Sequence, residues 1–474
     1  MLTTLLRDSR ALGVLAVPLI LTQLAQVALT TTDTVMMGLL GTRELAAGGL
    51  AIVIFNQLRT MGVGLVTSVG NRIAAAAARA ELAEPAGAGD DGAARAGAAD
   101  EEVRGIVRAS LAVATLAGIV GAVLMILIGQ ALGLLGQDAD VVGPARAMLL
   151  ALAPGLLPCL WFQAVRQFTV GMRRPQALLR ITIASVVVNA GLNWVLIHGT
   201  FGLPRLGLTG VGIATSTVYL LSFLALLASA KRDERLAPLL TLDLTKADPA
   251  TVRQLVALGV PIAATYGSEA GFFSLTALMA GSFGPEALAA HTAVNQLVYI
   301  VFQVAVGLSH AASINVSREL ALGHHDDARR IRNTALACAA AVMAVVGLLY
   351  LTVPRLVLAP FLDSGSDAGQ ASAIAAQLLV VTAFLQFFDC AQNIGVGLLR
   401  GLDDTRSGFR ITLVGYWAVG LPAAWILAYA LDLDTLGIWL GLLTGLATTA
   451  VLLLRRYSRS LTAHALSHPS PATC

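Results

Sequence analysis

The chain has 474 residues, of which 57% are hydrophobic and only 12% charged. That charged share is about half the ~25% of an ordinary soluble domain, and a mean hydropathy of +0.77 leaves too few charges to coat a water-facing surface. Four Cys in so long a chain exclude a secreted disulfide scaffold, and a net charge of +3 is no nucleic-acid footprint. The composition therefore describes a chain that crosses a lipid bilayer many times.

A membrane helix needs about 20 mostly apolar residues. Twelve stretches qualify, near 14–38, 47–71, 104–129, 145–169, 176–198, 207–229, 254–281, 287–312, 331–353, 373–400, 408–430 and 435–455. Long unbroken runs exclude a membrane barrel, whose segments are short and alternating. Many runs are rich in Gly and Ala, which lets helices approach closely in lipid. Arg7 and Arg10 precede the first run as in a signal peptide, but no small-residue cleavage pattern follows, so a retained first helix is expected.

Charge placement orients the chain. Of 31 Lys and Arg, 26 lie at the N-terminus, in or around the loops after spans 2, 4, 6, 8 and 10, and in the tail; Arg166 and Arg400 are counted among them. The other side holds only Arg43, Arg146, Arg205 and Arg355, and Arg59 lies inside span 2. The positive-inside rule makes both termini cytoplasmic. Cys159, Cys338 and Cys390 fall within spans and Cys474 is terminal, which reads as small buried side chains rather than disulfides. The Ala/Gly-rich, acidic segment 74–102 reads as a solvated cytoplasmic loop with a frayed helix at its start.

The halves repeat. An offset of 243 pairs Val17-Pro18 with Val260-Pro261, Met36 with Met279 and Leu45-Ala46-Ala47 with Leu288-Ala289-Ala290. An offset of 230 pairs Gly171 with Gly401 and Arg180-Ile181-Thr182 with Arg410-Ile411-Thr412. Six spans per half is an even number, so both halves have the same orientation, the parallel-repeat arrangement found in transporters. The expected fold is an all-α polytopic membrane protein, two pseudo-symmetric six-helix bundles around a central cavity. Residues 1–230 would form the first lobe, 231–250 a cytoplasmic linker, and 251–474 the second lobe and tail.

Three of the 28 acids lie inside spans: Asp33, Glu269 and Asp389. An acid at mid-membrane costs about 2.5–3.5 kcal/mol on insertion scales and commonly handles ions, protons or cationic ligands. The repeat pairs them with Thr276, Gln26 and Cys159, so no acid is shared between the halves. Asn189 and Asn193 lie on one helical face of span 5, where amides can coordinate a cation or hydrogen-bond an acid. Tyr266 sits one turn before Glu269, and Tyr299 adds aromatic surface that suits an organic cation. Arg59 has Asp33 as a candidate partner. There is no phosphate-binding Gly-Lys-Ser/Thr motif, nucleophile elbow or metal-spaced His cluster, so the chain provides no ATP chemistry of its own.

Five segments carry a family resemblance: VPLILTQLAQVALTTTDTVMMG in span 1, NAGLNW followed by FGLPRLGLTGVGIAT from span 5, the span 7 segment carrying Glu269, SINVSRELALG after span 8, and FFDCAQNIGVGLLRGLDDT at span 10. In this order they resemble the multidrug and toxic compound extrusion (MATE) family, most closely its NorM-like branch. The resemblance implies a transporter, not an enzyme, which exports amphipathic, often cationic organic compounds in exchange for inward Na⁺ or H⁺. It implies no cofactor beyond that coupling ion, and as partners a small-molecule substrate, the coupling cation and the lipid bilayer. It implies an inner-membrane protein that functions as a monomer. The family's acids in helices 1, 7 and 10 fall on Asp33, Glu269 and Asp389, and its paired helix 5 asparagines on Asn189 and Asn193. A lipid-linked sugar flippase of the same superfamily is the alternative; it would present basic residues to a pyrophosphate.

Overall fold

The computed structural model describes residues 2–83, 90–135, 139–202, 204–362 and 368–467. Among these residues there is helix and no strand. The long helices are α1 (Leu2–Gly38), α2 (Thr42–Thr67), α3 (Val69–Ala83), α4 (Asp90–Ala131), α5 (Ala139–Gly171), α6 (Gln176–His198), α7 (Gly207–Arg232), α8 (Pro249–Gly281), α9 (Pro285–Ala321) and α10 (His325–Thr352). Short α11 (Pro354–Leu358) precedes α12 (Ala368–Gly401), α13 (Thr405–Leu413), α14 (Leu421–Trp425) and α15 (Asp434–Ser467). Two π-helical turns, Val414–Gly420 and Ile426–Ala430, join α13 and α14 into one wide-wound helix.

Eleven helices among the described residues are long and apolar enough to cross a membrane, and they fall on eleven of the twelve expected spans. The twelfth, α8, has 33 residues and ample length. Its centre is diluted by Thr265, Tyr266, Ser268 and Glu269. The chain is thus an all-α, multi-pass membrane protein.

Segment 74–102 corrects the reading as a loop. Residues 74–83 belong to α3 and 90–102 to α4, while 84–89 lie outside the described residues. Alanine is the strongest helix former, so the composition that suggested low complexity also favours helix. Ala74, Ala76 and Ala78 are buried, and Arg79 pairs with Glu102 at 2.7 Å.

The helices group into two compact units, one of Leu21–Ala264 and the other of Met1–Ile20 with Thr265–Cys474. In the first, α5 is central: 72% of its apolar window is buried, against 28% for α6. Met148, Leu152 and Leu156 pack there with Met37, Phe55 and Met125. Contact is close because Gly155 faces Ser216; a Cβ on Gly155 would lie 2.7 Å from Ser216 Cα. Ser216 Oγ in turn donates to the Ala151 carbonyl at 2.7 Å. After α7, Asp233 accepts from Arg174 Nη1 at 2.7 Å and from the backbone N–H groups of Arg235 and Leu236. Burial raises the Asp233 carboxyl, but these bonds outweigh it and hold the group below the usual range.

In the second unit α9 packs on α12, and Trp439, Tyr416 and Tyr457 are its largest fully buried rings among the described residues. Gly437, Gly441 and Gly445 form one stripe along α15. They meet Ala428, Ala424 and Gly420 of the wide-wound helix, so closely that a Cβ on Gly441 would fall on the Ala424 backbone. The start of α1 is tied to this unit by Asp8, which accepts from Arg330 Nη2 at 2.5 Å and Nε at 3.1 Å.

Candidate functional site

Each unit buries its own carboxylate network. In Leu21–Ala264 the centre is Asp33 on α1, 3% exposed. Its Oδ1 accepts from Asn189 Nδ2 at 2.6 Å and Asn193 Nδ2 at 2.7 Å, both from α6. The two amides reach one oxygen because a four-residue spacing stacks them on one helical face. Thr215 Oγ1 on α7 lies 3.0 Å from Asp33 Oδ2 and 3.0 Å from the Val211 carbonyl.

Two chemical properties follow. Thr215 has one hydroxyl proton and two acceptors. It can donate to an ionised Asp33, or accept from a protonated Asp33 while donating to Val211, so the network takes either protonation state without moving. Asn189 and Asn193 spend their N–H groups on Asp33, which leaves both Oδ1 atoms buried with no hydrogen-bond partner among the described residues. Buried acceptors beside a carboxylate form an oxygen-rich set of the kind hard cations take. Arg59 Nε donates to Asn56 Oδ1 at 3.3 Å.

In the other unit Glu269 lines a cleft together with Tyr266, His310, Gln392, Arg400 and Tyr416. Tyr416 Oη donates to Gln392 Oε1 at 2.7 Å and stands 3.3 Å from Glu269 Oε1. Gln392 Nε2 and Asn393 Nδ2 both donate to Asp389 Oδ1 at 3.3 Å. Tyr416 and Gln392 thus link the carboxylate on the cleft wall to Asp389, which is 3% exposed and stands behind it. Tyr416 is aimed by its π-helical turn and by Phe272, whose ring stacks on it at 4.9 Å and 4°. Wide turns of this kind recur at functional sites.

Tyr266 reaches the cleft. Tyr299 does not line it: this side chain is 44% exposed and its ring lies along Phe302. The broken repeat is visible in the packing, since Thr276, opposite number of Asp33, is buried and, among the described residues, bonds only its own helix, to the Phe273 carbonyl.

Thr215, Gln392, Asn393, Tyr416 and Arg400 were not expected at these sites. Gln392 and Asn393 could have been flagged at three and four residues beyond Asp389, but nothing in an apolar run marks Tyr416 or Thr215. The arginines need correction. Arg166 and Arg400 were counted with the loop bases, yet both lie within helices and are buried at 4% and 3% exposure. Arg166 donates to Gln163 and Gln23 at 3.1 and 3.2 Å.

A many-helix membrane chain with buried, hydrogen-bonded carboxylates, one of them opening on a cleft, has the build of a transporter. Comparison with known proteins makes this specific. The MatE family profile matches residues 18–81, 92–195 and 261–426. A Pseudomonas aeruginosa protein named "Probable multidrug resistance protein NorM" is 35% identical over 446 residues, 94% of this chain and 88% of its own. A Bradyrhizobium diazoefficiens protein of the same name is 37% identical over 447 residues, 94% and 91% of the two chains. Among solved structures, the Vibrio cholerae MATE transporter VcmN in its bent form superposes with a TM-score of 0.81 at 16% identity, covering 98% of this chain and 99% of its own. The chain belongs to the MatE family: it is a membrane transporter and not an enzyme.

Proposed function

We propose that this chain exports amphipathic, often cationic organic compounds by alternating access, in exchange for inward Na⁺ or H⁺. It does so as a monomer in the cell inner membrane, with both termini cytoplasmic and two lobes, 1–230 and 251–474. The relatives named for multidrug resistance support the drug-efflux part of the reading. The observation that carries the coupling part is Glu269 on a cleft wall, joined through Tyr416 and Gln392 to a second buried carboxylate. An organic cation in the cleft and a coupling cation at Glu269 and Asp389 would compete for the same negative charge. A ligand shifts a two-state equilibrium only by its differential affinity, and that competition provides one. Asp33 with the Asn189 and Asn193 oxygens would serve the same purpose in the other unit.

The test is transport of a cationic dye in proteoliposomes with an imposed Na⁺ gradient and, separately, a pH gradient. Glu269→Gln and Asp389→Asn are expected to abolish gradient-driven transport while the protein still inserts. Full transport by both variants would remove these residues from coupling, and no dye movement under either gradient would overturn the antiport reading.

A further inference from the structure

Arg400 has no place in the mechanism above, yet it lines the same cleft as Glu269. A guanidinium is charged at every physiological pH. This one is 3% exposed, and its Nε and Nη1 have no hydrogen-bond partner among the described residues. An unpaired buried charge is strongly unfavourable. Arg166, the buried arginine of the other unit, has its donors taken by Gln163 and Gln23.

The spacing gives the site a shape. Gln392, Val396 and Arg400 are four residues apart and all line the cleft, so they run down one face of α12. Eight residues of helix separate the Gln392 and Arg400 levels, about 12 Å of rise. Glu269 stands at the Gln392 level, since Tyr416 touches both. The cleft thus has a carboxylate at one end and an unpaired guanidinium about two turns away, with apolar Val396 between.

We propose that Arg400 is an anion-binding subsite and that the cleft takes elongated zwitterions, the cationic end at Glu269 and a carboxylate at Arg400. A planar guanidinium fork matches a carboxylate better than it matches a spherical ion such as chloride. The proposal rests on the reading of this cleft as the substrate site and names the substrate class it takes. A purely cationic compound would use the Glu269 end alone and leave Arg400 unpaired.

The test uses the full chain in lipid nanodiscs and isothermal titration at pH 7. The probe is 4′-(aminomethyl)biphenyl-4-carboxylate, with its ammonium and carboxylate at opposite ends of a rigid core; its methyl ester is the cation-only control. The wild-type chain is expected to bind the acid at least tenfold more tightly than the ester. Arg400→Gln should remove that preference by weakening the acid, with ester affinity changed less than twofold, and Arg400→Lys should keep part of it. Unaltered thermal unfolding of Arg400→Gln would exclude a folding defect. An acid-to-ester ratio unchanged by Arg400→Gln would overturn the subsite and leave the cleft reading standing. Failure of both compounds to bind the wild-type chain would overturn both. Displacement of the acid by pyrophosphate at concentrations where acetate has no effect would overturn the carboxylate assignment in favour of a phosphate ligand.

Discussion

Tyr416→Phe isolates the link between the two carboxylates of the second unit. The change removes one oxygen and keeps the ring on Phe272, 4.9 Å away and parallel to within 4°. The lost hydroxyl donates to Gln392 Oε1 at 2.7 Å, and Gln392 is only 2% exposed, so the amide oxygen is left buried without its donor. That is expected to cost about 1–3 kcal/mol, whereas the stacking contribution of about 0.5–1.5 kcal/mol is retained. The measurement is reversible unfolding in mixed micelles of the wild type, Tyr416→Phe, Gln392→Leu and the double variant. If the hydroxyl acts through Gln392, the double variant falls little further than Gln392→Leu alone, with a coupling energy of about 1 kcal/mol or more. Losses that simply add would refute the link. Gradient-driven transport by Tyr416→Phe should also slow, because Glu269 loses the neighbour that ties it to Asp389.

Other consequences concern packing and surface charge. Gly441→Leu should destabilise by about 1–3 kcal/mol or more, because any Cβ there meets the Ala424 backbone; an unchanged unfolding midpoint and yield of monodisperse protein would contradict the close contact. Asp233 is held below the usual carboxylate range, so its stabilisation is complete above the unfolded value of about 4 and is lost as pH falls through its lower folded value. Asp233→Asn should lower stability at pH 7 by no more than about 1 kcal/mol, the partner Arg174 being 40% exposed, and should make little difference at pH 3. An equal loss at both pH values would mean that the carboxylate charge is not what stabilises the turn.

The membrane-crossing helices were legible because length and apolarity are local properties, and eleven of them meet both criteria outright. Span 7 was legible by length, and the polar residues that dilute α8 belong to the candidate site itself. The three acids were legible because each is a charge in an apolar run. Their partners were not, since Asn189 reaches Asp33 across 156 residues of sequence and Thr215 across 182. Arg166 and Arg400 were misplaced for a related reason: sequence proximity to a loop says nothing about which way a side chain points. In 74–102 composition misled, because alanine-rich segments are simple in sequence and strongly helical in structure.

The π-helical turns have a consequence for chain length. The N–H of Leu421 bonds the Tyr416 carbonyl, and that of Leu431 bonds the Ile426 carbonyl, each five residues back. A turn wound this way absorbs an extra residue, and an α-helical step is about 100° of rotation. Deleting one residue within 414–420 would return the turn to ordinary winding and leave Ala424 and Ala428 facing the glycine stripe they now meet. A one-residue deletion there is therefore milder for the interface with α15 than the same deletion in an ordinary α-helical stretch, where every later residue would rotate by about 100°. What such a deletion would lose is the local aim of Tyr416 inside the turn, so the extra residue serves the site and not the helix interface.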